Sequence, residues 1–171
     1  MIVIINGPLG IGKTATAWSL LERFERAVML DGDYVAAFHP FDYYNQAHLD
    51  YAYATFRQLV AHHYDHGFRD FVLNWVFETP AQLARVRQAL AEFGLPIHAY
   101  RLVCAPEAIA GRIRRRNLPN LAFELQRAQQ LVEILDRAAH SGDLGHVIDT
   151  TNLSADQVAA AIWEHAHGTT C

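Results

Sequence analysis

Gly7-Pro8-Leu9-Gly10-Ile11-Gly12-Lys13-Thr14 fills the pattern GxxxxGK[ST], the signature of a phosphate-binding loop. Lys13 is the only lysine in the chain; lysine and arginine together number 14, so the other thirteen are arginines. A compact ammonium with rotatable donors tucks against β- and γ-phosphate oxygens beneath a tightly wound loop, where a planar guanidinium does not fit. The flanks agree with the motif. Before it, Met1-Ile2-Val3-Ile4-Ile5-Asn6 is a continuous apolar run rich in β-branched residues, as in a strand buried on both faces. After it, Ala15, Trp18, Leu20, Leu21 and Phe24 recur at helical spacing over residues 14–26. Strand, glycine loop and helix in that order aim backbone N–H groups and a helix N-terminus at an anion. Gly7, Pro8, Leu9, Gly10, Ile11, Gly12, Lys13, Thr14 and Ala15 are therefore expected to cradle a nucleoside triphosphate, with the Thr14 hydroxyl on Mg²⁺.

At 171 residues the chain is expected to form one domain, 1–171, with a sizeable core. A net charge of −4 offers no electrostatic case for nucleic acid as a partner. Two cysteines make no disulfide scaffold; Cys104 ends an apolar run and reads as a buried thiol, while Cys171 is terminal. The first residues lack the basic start of a signal peptide and no apolar stretch reaches membrane-spanning length. A cytoplasmic protein without membrane contact, monomer or homodimer, is the expectation.

Strands alternate with helices along the whole chain. Residues 27–31, 71–77, 96–103 and 146–149 read as further strands, and helices are expected at about 43–64, 80–93, 106–116, 122–139 and after Ser154. Thr79 and Ser154 are the expected N-caps, Pro80 and Pro106 sit at first helical positions, and Gly94 stops a helix. Leu118-Pro119-Asn120 interrupts the pattern. Such alternation implies α/β architecture, a three-layer α/β/α sandwich around a five-stranded parallel sheet whose ligands bind beyond the carboxyl ends of the strands.

Other phosphate-loop classes leave checkable marks. A GTPase needs Asn-Lys-x-Asp to read guanine, which a chain with a single lysine in its loop cannot supply. An assembly-type ATPase ends its third strand in Asp-Glu, whereas Val76-Phe77-Glu78 ends this one, with Asn74 inside it. Small kinases remain. Asp31-Gly32-Asp33 resembles the Asp-x-Asp of shikimate kinases and the Asp-Gly-Asp of adenylylsulfate kinases. Ile5-Asn6-Gly7 with the loop, the stretch 108–116 and the tail 148–154 are similar to tunicamycin-resistance-type and chloramphenicol-phosphotransferase-type proteins of the nucleoside monophosphate kinase-like P-loop superfamily.

That resemblance implies transfer of the γ-phosphoryl group of Mg·ATP to a hydroxyl-bearing small molecule, with a short helical lid at about 112–127. It implies Asp31 as a magnesium holder, in company with Thr14, and Asp33 as the base that binds the acceptor hydroxyl, beside Lys13. Asp-Gly is also a turn dipeptide, although turn chemistry alone does not account for two carboxylates at a strand end beside the loop. Among the lid arginines, 112, 115 and 116 share a helix face and Arg114 does not. By resemblance Arg112 and Arg116 clamp the nucleotide and Arg116 serves catalysis, while Arg127, beyond the Pro119 break, either closes the clamp or plays a surface role. The competing reading of the arginines is the electrostatic preference of a helix C-terminus for cations.

The acceptor site is expected between the aromatic run Tyr34, Phe38, His39, Phe41, Tyr43, Tyr44 and the third-strand residues Asn74, Trp75 and Glu78, with ordinary core packing the competing reading for any single one of them. No arginine occurs between Arg26 and Arg57, which argues against a small anionic acceptor. His62-His63-x-x-His66 puts two imidazoles on one helix face, but no carboxylate or thiol completes a metal site. The rival function is an ATP-binding resistance or regulatory protein that hydrolyses ATP slowly and has no acceptor.

Overall fold

The computed structural model describes residues 1–117 and 119–168. Leu118 and Cys171 lie outside them. Among the described residues the five strands are β1 (Ile2–Asn6), β2 (Ala27–Asp31), β3 (Asp70–Asn74), β4 (Ile97–Val103) and β5 (His146–Asp149). The α-helices are α1 (Lys13–Leu21), α2 (Gly32–Val35), α3 (Gln46–Asp65), α4 (Pro80–Leu90), α5 (Pro106–Arg115), α6 (Leu121–Ala139) and α7 (Ala155–Gly168). All pairings are parallel, in the order β2-β3-β1-β4-β5. The loop-bearing strand thus sits at the centre.

Alternation along β1 divides the core into two layers. Ile2 and Ile4 pack with Phe71 and Leu73 of β3 against Leu49, Phe56 and Val60 of α3 and Leu83, Val86 and Leu90 of α4. Val3 and Ile5 face the other way, onto Ala17 and Leu20 of α1, Ile109 and Ile113 of α5, and Val158 and Ile162 of α7. Helices cover both faces, so the chain is an α/β/α sandwich. Each core side chain named here is at most 4% exposed, and burial on that scale contributes about 1.5–3 kcal/mol per large apolar residue.

Local sequence explains the boundaries. Thr79 Oγ1 accepts from Gln82 N while the Gln82 side chain accepts from Thr79 N, a complete capping box, and Pro80 follows at the first helical position. Ser154 and Gln157 repeat that exchange before α7. After α4, a single 3-10 turn ends at Gly94, whose φ of 64° is the left-handed conformation that favours glycine. Two expectations need correction. Helix α1 stops at Leu21 rather than near residue 26, and Ala15 and Trp18 face solvent, Trp18 being 55% exposed. Small Thr16 and Ala17 face inward instead, because the helix that follows the loop lies close against the sheet. Trp75, Val76 and Phe77 lie beyond β3, which ends at Asn74.

Candidate functional site

The exits of β1, β2 and β3 meet at the loop. Asn6, fully buried at the end of β1, accepts from Gly7 N at 2.8 Å and Phe77 N at 2.9 Å through Oδ1. Its Nδ2 donates to Phe77 O at 3.1 Å. This amide ties the loop to the chain leaving β3. Its signal was legible as a polar residue closing an apolar run, yet no role follows from sequence alone. Gly12 then takes φ 108°, and α1 begins without a side-chain cap. The first-turn N–H groups stay free for an anion. Lys13 Nζ folds back to donate to Gly7 O at 2.9 Å and Pro8 O at 3.1 Å. Burial lowers its pKa to about 8; Asp33 and Asp31 oppose that shift and Arg116 adds to it.

Across the cavity, Asp31 caps the short helix α2, Oδ1 accepting from Asp33 N at 2.9 Å. Oδ2 accepts from Thr14 Oγ1 at 3.0 Å and from Asn74 Nδ2 at 2.8 Å. Asp31-Gly32-Asp33 therefore forms a capped turn, and both of its carboxylates line the small cavity beside the loop. Thr14 and Asp31 supply hard oxygens, the donors magnesium takes alongside phosphate and water, so these residues could hold that ion. Asp33 keeps an exposed face, but desolvation raises its carboxyl above the ordinary range, reinforced by Asp31 and opposed by Lys13 and the Trp75 indole. Asn74, expected on the acceptor wall, turns instead toward Thr14 and Asp31.

Gly32 is required by close approach. A Cβ there would lie 2.1 Å from the Trp75 ring. Gly32→Ala is expected to destabilise the fold by about 1–3 kcal/mol through overpacking and to displace both flanking aspartates. Denaturation and activity measured together check this; a variant as stable and active as the parent contradicts it.

Two of the cavities that adjoin the loop gather the expected site residues. One of about 50 Å³ is lined by Lys13, Thr14, Asp31, Asp33, Trp75 and Arg116, among others. The second, about 330 Å³, runs from Gly10, Ile11, Gly12 and Ala15 to Arg112, Arg115, Arg116 and the residues after β5. Arg116 borders both. The three same-face arginines thus meet beside the loop, and exposed Arg114 lines a separate cavity of about 550 Å³ between α5 and α6. Arg112 is already engaged: it donates to Ile11 O at 2.9 Å, Thr150 Oγ1 at 3.0 Å and Thr150 O at 2.5 Å. It braces the loop against the β5 exit, a task that buried Thr150 gave no sequence signal for. Arg127 does not join the other arginines but pairs with buried Glu78 at 2.5 Å.

Trp75, 5% exposed, is surrounded by Phe41, Tyr43, Tyr53, Phe56 and Phe77 at ring distances of 5.9–6.4 Å. Tyr43 also donates to Val76 O at 2.7 Å, and burial raises its pKa. Tyr34 and Tyr44 stand out at 82% and 75% exposure. The aromatic run therefore divides into packed rings and solvent-facing ones. Burial pushes the half-buried Cys104 thiol up, which disfavours the reactive thiolate. The His62 and His66 rings lie 4.5 Å apart, tilted by 41°, near the end of α3. Among the described residues no group of three or more His, Cys, Asp or Glu is arranged to hold a metal, and no helix is long and apolar enough to cross a membrane.

Comparison with known proteins follows the same lines. Residues 2–131 match the family model described as AAA domain. No curated protein matches the chain in sequence. Among solved structures, the tunicamycin resistance protein of Deinococcus radiodurans is similar at a TM-score of 0.68 and 22% identity, covering 99% of this chain and 96% of that one. Shikimate kinase from Acinetobacter baumannii, in complex with shikimate, is similar at 0.68 and 20% identity, covering 99% and 94%. A gluconokinase from Sinorhizobium meliloti scores 0.64 at 13% identity, covering 99% and 97%. At these identities the likeness is one of fold.

Proposed function

The chain belongs to the AAA domain family, and from that premise we propose that it is an ATP-dependent kinase which transfers the γ-phosphoryl group of Mg·ATP to a hydroxyl-bearing small molecule. The observation that carries this reading is the convergence of Lys13, Thr14, Asp31, Asp33 and Arg116 on one small cavity beside the loop. Asn74 at the end of β3, in place of the Asp-Glu of an assembly-type ATPase, fits the same reading. Phosphoryl transfer needs positioning, cations around the moving group and a base at the acceptor. Loop N–H groups and Lys13 hold the phosphates, and Arg116 faces them from the end of α5. Asp33, with its raised pKa, accepts the proton of the acceptor hydroxyl. Thr14 and Asp31 hold magnesium, which when bound neutralises phosphate charge. The nucleoside lies in the larger cavity against Arg115, Arg116 and the residues after β5. The whole chain acts as a single domain, and residues 112–127 serve as the lid. The test is ATP consumption across a panel of nucleosides, sugars and antibiotics. Acceptor-dependent turnover supports the proposal; slow hydrolysis indifferent to every acceptor favours a resistance or regulatory role.

The acceptor is a neutral hydroxyl compound with an aromatic or apolar part. Residues 27–56 contain no arginine, and Glu78 already neutralises Arg127. Rings around Trp75 and exposed Tyr34 favour stacking over charge. Tryptophan fluorescence, with Trp75→Phe to subtract Trp18 and Trp163, should report binding of nucleosides or aromatic natural products. A response to shikimate or another small anion and to none of these reverses the assignment.

A further inference from the structure

The amide that ends β3 is only half used. Asn74 is 2% exposed, and its Nδ2 donates to Asp31 Oδ2 at 2.8 Å and to Thr14 Oγ1 at 3.3 Å. Its Oδ1 is buried and accepts from no group among the described residues. The orientation is forced: an ionised carboxylate only accepts, so the amide nitrogen must face Asp31 and the oxygen must turn away. Thr14 spends its proton on the same Asp31 oxygen at 3.0 Å. The polar groups of this wall satisfy one another and leave Oδ1 out. A buried carbonyl without a partner costs the free chain stability, and such a cost is characteristic of a group reserved for a ligand. Asn74 lines the same small cavity as Lys13, Thr14, Asp31 and Asp33.

We propose that Asn74 is a positioning residue of the magnesium site. Its Nδ2 holds Asp31 and Thr14 side by side, and its Oδ1 accepts a hydrogen bond from water of the hydrated ion once the Thr14–Asp31 contact opens. The inference rests on the Mg·ATP reading above. Magnesium sheds its waters reluctantly, so a site for it needs acceptors for those waters as well as direct oxygens. Partners of that outer kind change metal affinity by about 10–100-fold. The amide suits both tasks, because a carboxylate at this place would repel Asp31 and could not donate to it.

The experiment titrates Mn²⁺, read by electron paramagnetic resonance, into protein saturated with a non-hydrolysable ATP analogue. It is paired with nucleotide affinity in EDTA and with thermal melting. Asn74→Ala should bind Mn²⁺ about 10–100-fold more weakly while keeping its metal-free nucleotide affinity, whatever stability it loses with the bonds to Asp31 and Thr14. Asn74→Ser, whose hydroxyl both donates and accepts, should fall between. Unchanged Mn²⁺ affinity overturns the proposal. So does an equal loss in EDTA with lowered melting, or failure of both variants to fold, since each marks a purely structural amide. If only the alanine variant fails to fold, the serine variant decides by the same readouts. A parent that binds the analogue without Mn²⁺ removes the Mg·ATP reading and this inference together. A parent that binds both, with unaltered variants, removes only this inference.

Discussion

Lys13→Ala should lower phosphoryl transfer by about 10²–10³-fold, the scale on which one preorganised donor to a developing charge acts, while leaving thermal melting near that of the parent. The ammonium makes two hydrogen bonds, both to carbonyls of its own loop, and belongs to neither core layer. Arginine should not rescue it, because the space under the loop is shaped for a compact cation. Lys13 also offers a readout independent of turnover. With its pKa lowered to about 8, the amine gives up its proton more readily than an ordinary lysine does, so more of it is nucleophilic at mildly alkaline pH. The other amine, at Met1, is held by Asp70 and Arg69 O, each at 2.7 Å. Acylation at pH 8 should therefore mark Lys13, and ATP should block it by covering the ammonium and restoring its charge. Full activity in the alanine variant, with ATP-insensitive labelling, would end the kinase reading.

The centre of the sheet was legible because β1 and β3 are buried by composition. Ile2 to Ile5 and Phe71 to Leu73 are apolar on both sides, and no other arrangement satisfies such runs next to helical periodicity. Capping chemistry at Thr79 and Ser154 was equally direct, since the whole exchange lies within four residues. Helix α2 escaped for the opposite reason: four residues starting at glycine carry no period to read. The inward face of α1 was read only in part: Leu20 is buried as its spacing implied, but Ala15 and Trp18 face solvent, and Thr16 and Ala17 pack inward beside Leu20.

The site divides in the same way. Lys13, Thr14, Asp31 and Asp33 could be placed together because motif and strand ends determine their positions. What each arginine does depends on partners far away in sequence. Arg112 is drawn to Thr150 across the β5 exit and Arg127 to Glu78 across the β3 exit, and neither pairing leaves a periodic trace. Asn74 is the extreme case. Placed in a strand, it could as well have faced the acceptor, and only its register opposite Asp31 turns it toward Asp31 and Thr14.

Asp33→Asn should cut turnover by about 10²–10⁴-fold with nucleotide affinity nearly unchanged, because an amide cannot take the acceptor's proton. Stability should move in the other direction. The folded-state pKa of Asp33 lies above its ordinary value, so the folded chain disfavours the ionised form and that charge works against folding at neutral pH. Removing it should leave melting at neutral pH equal to the parent's or higher, with the difference fading as pH falls and the parent's own carboxyl takes up its proton. The same shift fixes the acid limb of the rate profile. Activity needs the carboxylate, so it should decline on acidification at a pH above that expected of an unperturbed aspartate, and the limb should vanish in the variant. Asp31→Asn provides the contrast, since loss of a magnesium holder raises the metal requirement before it limits turnover. Rates across pH and magnesium concentration for both variants separate the two carboxylates. Identical behaviour of the two, or unchanged turnover in both, would show that the division of work between Asp31 and Asp33 is mistaken.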